Sequence, residues 1–187
     1  SAAFGEFQIF SFKLSYHLEN PLNNKTTTQI ALPPDTDFQK VFYWNLSPKP
    51  QNVERDADGN WLALYKLDRR ERIDVEAQGQ VQIFAYPWRN STSTKQNLEN
   101  YLKSTPVWQS EDPDIVKLAD KLKNPAQIYN WVVSNLSYDY TRVRPNIARK
   151  GAVEALKTPA NSICMEFTDL FIALARAAGI PAREING

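Results

Sequence analysis

The sequence holds a single cysteine and a single histidine in 187 residues. One thiol excludes an internal disulfide framework and leaves the redox compartment open. An excess of charge of either sign is missing too. With 22 basic residues against 21 acidic ones, no field steers the chain towards nucleic acid or an anionic membrane surface. No apolar run approaches the ~20 residues that cross a bilayer, and no signal-peptide pattern opens the chain. Internal repeats and low-complexity segments are also absent. What remains is an ordinary globular composition, 42% apolar and 23% charged, in a length that suits one large domain or two small ones. Four N-x-S/T triplets, at Asn24, Asn45, Asn90 and Asn135, read as chance.

The hydrophobic rhythm changes once along the chain. From Phe7 to about Tyr86 it has period two: Phe10, Phe12, Leu14, Tyr16 and Leu18 fall on one face, and Ser11, Lys13, Ser15, His17 and Glu19 on the other. Further strand-like runs follow (TTTQIAL, FQKVFYWNL, WLALYKL, and a long one spanning ERIDVEA and VQIFAYP), separated by the turn clusters NPLNN, LPPDTD, SPKPQN, DADGN and QGQ. This spacing predicts an antiparallel β-sandwich over residues 1–88. Residues 89–112 are polar and weakly patterned, and read as a linker with a helical turn or two.

From Asp112 the period becomes 3.6. Asp112-Pro113 and Asn124-Pro125 are both cap-then-proline starts. Ile115, Leu118, Ala119 and Leu122 are in phase after the first, and Ile128, Trp131, Val132 and Asn135 after the second. A short helix is expected around Ala152–Leu156, and a last one from near Cys164 to about Ala178, with Gly179 and Pro181 ending it. The fold class expected is therefore α+β, a sandwich followed by a helical lobe.

Cys164 stands at the mouth of that last helix, with Ser162 or Asn161 as the expected cap. A cysteine there is either an inward core filler or a thiol held where the unpaired N–H groups of a helix start favour negative charge. Position alone leaves both open. Asp56–Asn60 (DADGN) suggests calcium, but the EF-hand pattern needs glycine and glutamate where Trp61 and Leu67 stand. A hairpin turn on Asp58-Gly59 is expected instead, with no metal or cofactor site. Glu166 and Asp169 read as acids at a helix start or as partners of Arg183, and the basic stretch 142–150 as a solvated loop, with the lining of a cleft opposite Glu166 as the alternative. The five tryptophans are too dispersed in sequence to form a carbohydrate platform.

Three elements in order carry a resemblance. They are Trp131, Leu136 and Tyr138 in IYNWVVSNLSYDY; Cys164-Met165-Glu166-Phe167; and Arg176-Ala177-Ala178-Gly179-Ile180-Pro181-Ala182-Arg183. Over about residues 113–187 the chain resembles the transglutaminase-like superfamily of thiol enzymes, with Ser162 where the family often has glycine. The β-rich front half resembles, more loosely, the sandwich that precedes this core in some bacterial members.

The resemblance implies a papain-like thiol fold with Cys164 as catalytic nucleophile, acting on a peptide or protein substrate by acyl transfer. Water would complete a peptidase or amidase reaction, and an amine a transglutaminase reaction. In the family a histidine and an aspartate follow the cysteine on later strands, whereas the sequence ends 23 residues past Cys164. The expectation is a core cut before its sheet, inactive on its own, with a second copy of the chain as one candidate cover for the apolar face of the last helix. His17, on the polar face of a strand, reads as a solvated residue. The alternative function is a non-catalytic binding or scaffold module, in which the sandwich recognises a protein or glycan.

Overall fold

The computed structural model describes residues 7–88, 95–144 and 147–185. Asn90 with its triplet and the Pro145-Asn146 pair of the basic loop fall outside them. The fold is α+β, in two compact units that meet in sequence between residues 92 and 93.

The first unit is two three-stranded antiparallel sheets. The strands are β1 (Phe7–Glu19), β2 (Thr26–Leu32), β3 (Gln39–Ser47), β4 (Asn52–Arg55), β5 (Trp61–Leu67) and β6 (Arg72–Phe84). One sheet has the order β1-β6-β3 and the other β2-β5-β4. Their facing sides meet in a core of Ile30, Leu32, Ala63, Tyr65, Val75 and Ala77, with Leu14, Tyr16 and Leu18 of β1 packed beside it. The alternation read from β1 holds from Phe12 onward: Phe12, Leu14, Tyr16 and Leu18 are half-buried and Lys13, Ser15 and His17 exposed, whereas Phe10 is exposed as well. Three tyrosine hydroxyls close the core by donating to backbone carbonyls, Tyr16 to Ala31, Tyr43 to Pro33 and Tyr65 to Pro48, each at 2.9 Å.

Two details depart from the sequence reading. QGQ is no turn: β6 runs unbroken through Gln78, Gly79 and Gln80, paired on both sides. Glycine is required there by close approach. A Cβ at Gly79 would lie 2.2 Å from the Phe42 carbonyl oxygen and 2.6 Å from the Phe12 ring, beside a bulge in β3 between Tyr43 and Asn45. The second is β4, whose four residues are all exposed, so it leaves no hydrophobic pattern to detect. The DADGN segment is the tight turn between β4 and β5. Asp56 uses its carboxylate within that turn, accepting from the Asp58 and Asn60 backbone N–H groups and from the Asn60 amide, and Gly59 takes a φ of +86°.

The second unit holds α1 (Lys95–Asn100), α2 (Pro113–Leu122), α3 (Pro125–Asn135), α4 (Ala152–Lys157) and α5 (Cys164–Ala177). Asp112 caps α2 by accepting from the Asp114 and Ile115 N–H groups, and Asn124 caps α3 by accepting from that of Gln127. Both starts therefore work as the sequence suggests. Ile115, Ala119, Ile128, Val132, Ala155, Leu170 and Leu174 form the core, so the apolar face of α5 at Leu170 and Leu174 is covered by helices of its own unit. Tyr101 to Asp112, polar and weakly patterned in sequence, belongs to this unit, and Trp108 is part of its core. Gly179 ends α5 in the left-handed conformation, φ +76°. The Ile180 N–H bonds the Ala175 carbonyl and the Gly179 N–H that of Arg176, which is the two-bond closure of a Schellman motif.

Candidate active site

Cys164 is the first residue of α5 and is exposed. The core-filler reading is therefore overturned. The cap is not the one expected. The residue before the helix is Ile163, which has no capping side chain, while Ser162 is buried and its hydroxyl donates to the Pro159 carbonyl at 3.1 Å. The capping work falls to Glu166, whose carboxylate reaches back to accept the Ile163 N–H at 2.8 Å. That is half of a capping box.

The turn carrying the thiol is tied to the chain that follows α3. Tyr138 and Ser162 form a parallel bridge, with the Asp139 N–H on the Ser162 carbonyl at 2.7 Å and the Ser162 N–H on that of Ser137 at 3.2 Å. Tyr138 packs its ring 4.8 Å from that of Tyr140 and 6.2 Å from that of Phe167, in the first turn of α5. Asp139 accepts from the Thr141 hydroxyl and N–H. These bonds, helped by Arg142 and Lys150, hold its carboxyl below the usual range.

Behind the thiol lie two buried carboxylates, each committed to an arginine. Glu166 is fully buried and meets Arg142 at 3.0 and 3.2 Å. Burial opposes its ionisation, but the hydrogen bonds from Arg142 and from the Ile163 N–H outweigh it, so its pKa lies below the ordinary value. Asp169, equally buried, accepts from the Trp108 indole at 2.8 Å and from Arg149. Arg149 also donates to Glu184 at 3.0 and 3.1 Å. The Asp169 hydrogen bond, opposed by burial and aided by Glu184, raises the pKa of its guanidinium. Arg149 and Arg176 stand over the Trp108 ring at 5.6 and 4.5 Å, within cation–π range. The expected pairing with Arg183 is not the one seen for either acid. Arg183 meets Tyr101.

The basic loop is thus no solvated stretch at its two ends, where Arg142 and Arg149 reach the helix-start carboxylates. Sequence reasoning held a place opposite Glu166 only as the alternative for this stretch and assigned neither arginine its partner, because loop residues carry no periodicity to betray one. His17 pairs across strands with Asp74 at 2.6 Å on an outer sheet face, both side chains about four-fifths exposed. Among the described residues no cluster of side chains could hold a metal ion, and no helix is long and apolar enough to cross a membrane.

Residues 112–187 match the family model of the transglutaminase-like superfamily. The match covers less than half of the chain, and over it the sequence is similar to that superfamily. An uncharacterized protein of Haemophilus influenzae is 35% identical to the chain over 205 residues, an alignment covering 96% of the chain and 55% of the relative. The chain therefore spans about half the length of that relative. A crystal structure described as "a Putative Cysteine Protease from Cytophaga hutchinsonii" superposes with a TM-score of 0.66 over 94% of this chain and 67% of that one, at 16% identity. At that identity the likeness is one of fold, and it spans both the sandwich and the transglutaminase-like part.

Proposed function

We propose that Cys164 is the nucleophile of a thiol acyl-transfer protein acting on peptide or amide bonds. The observation that carries this reading is an exposed thiol on the first residue of α5, inside the segment that matches the transglutaminase-like family. The thiolate attacks the carbonyl carbon and the carbonyl oxygen gains the negative charge. The C–N bond then breaks as the nitrogen takes up a proton, leaving a thioester on Cys164. Attack by water on the thioester gives hydrolysis, and attack by an amine gives a new amide. The first N–H groups of a helix have no intrahelical acceptor, so those of Cys164 and Met165 suit the developing oxyanion.

Glu166 and Asp169 are poor proton carriers, since both are buried and bonded to arginines. His17 is committed to Asp74 on the sandwich. The resemblance to transglutaminase-like enzymes gives the proton to a histidine that an aspartate orients. A full-length protein that hydrolyses amides or incorporates amines, and loses at least about 10³-fold of that rate on Cys164→Ala, would support the reading. Equal rates for the two would sink it, and no rate in either would favour the scaffold role.

A further inference from the structure

Arg142 joins the two stretches of backbone that present Cys164. Its guanidinium donates to the Asn161 carbonyl, three residues before the thiol, and to both oxygens of Glu166, two residues after it. Glu166 in turn accepts the N–H of Ile163, the residue adjoining the thiol. The Arg142 side chain is 14% exposed and that of Glu166 0%. We propose that Arg142 is a positioning residue for Cys164, locking the turn that carries the thiol and cancelling the carboxylate charge buried behind it.

The need for such a residue follows from the odd placement of Glu166. A carboxylate at the third helical position serves the Ile163 N–H well, but an uncompensated negative charge two residues from a thiolate opposes it. Paired with Arg142, the carboxylate keeps its acceptor role and loses its net field. The remaining charges facing this turn come from three other places. Asp139 lies beside Arg142 on the segment after α3, Lys150 donates to the same Asn161 carbonyl at 3.2 Å, and Asp169 sits further along α5 with its charge taken up by Arg149. Among the described charges at this turn, the Arg142–Glu166 pair is the one that touches residues on both sides of the thiol.

The proposal rests on Cys164 as nucleophile, yet its test does not require catalysis. Cys164 is the only thiol in the chain, so alkylation by iodoacetamide reports on it alone. Rates measured on this chain across about pH 6–9 span the range in which a thiol changes charge. Arg142→Gln exposes Cys164 to an unbalanced carboxylate and should slow alkylation at neutral pH. Glu166→Gln keeps an acceptor for the Ile163 N–H, leaves Arg142 unbalanced, and should speed it. Each change should be about two- to fivefold, the size expected of one charge at a helix's first turn. The two single variants should move the pH profile in opposite directions, the double variant should return it close to wild type, and Arg142→Lys should hold it in place. Melting curves establish that each variant is folded at the assay temperature. If both single variants change the rate in the same direction, or leave the pH profile where it was, Arg142 is a structural residue only and the proposal fails. Loss of the nucleophile reading looks different: full-length Cys164→Ala stays active while the alkylation pattern persists.

Discussion

A carboxylate as buried as that of Glu166 stays ionised because Arg142 and the Ile163 N–H supply what water would. The pH consequence follows from the sign of the shift. Its folded-state pKa lies below its ordinary 4.5, so the native state holds fewer protons than the unfolded one near that pH. The stabilisation is complete above the ordinary value and is lost as pH falls through the lower, folded one. Glu166→Gln should therefore flatten the acid-side fall in melting temperature. Parallel melting curves for the two proteins below about pH 4.5 would show that the pair contributes nothing to acid stability. At this scale the sequence was partly legible. The thiol at a helix mouth and the caps Asp112 and Asn124 follow from local chemistry. Ser162 misled, because its hydroxyl turns back to Pro159 and a residue with no polar side chain stands at the cap. Arg142 and Arg149 were out of reach, since their partners lie 24 and 20 residues away with no repeat to link them.

Among the elements, the two glycines that matter do so for different reasons, and alanine should separate them. At Gly79 the obstacle is space. The added carbon would meet the Phe42 carbonyl at 2.2 Å, and backbone in a paired strand cannot swing aside. Gly79→Ala should destabilise the sandwich by about 1–3 kcal/mol, typical of overpacking. At Gly179 the surroundings are open, with nothing within 4 Å of the added carbon, and only the left-handed backbone resists. That change should cost the lesser ~1–2 kcal/mol, and Asn in its place less still. Urea unfolding of the variants reads both, and a Gly179 penalty larger than that at Gly79 would reverse the argument. The period-two and period-3.6 runs marked most elements because each has one face towards a core. β4 has none, and QGQ mimicked a turn because close packing and chain reversal both call for glycine.

For the molecule as a whole, the rhythm changes near Asp112, whereas the first helix is α1 and the two compact units part between residues 92 and 93. The rhythm could not reveal that Tyr101–Asp112 packs with the helices, because that segment is held by one large ring and not by a stripe. Arg176 shows what such an attachment entails. Its guanidinium, 5% exposed, donates to the Lys103 carbonyl at 2.7 Å and to the Ala182 carbonyl at 2.7 and 3.0 Å, while covering the Trp108 ring. The Ala182 N–H bonds the Tyr101 carbonyl. Segments some seventy to eighty positions apart thus share one fastening, and neither can come loose while the other stays. Local opening in proteins proceeds in such cooperative groups. Hydrogen–deuterium exchange should give the Ala182 amide and the Trp108 indole similar protection, and Arg176→Lys should lower both in step. A variant that frees one and spares the other would mean that the two ends breathe independently.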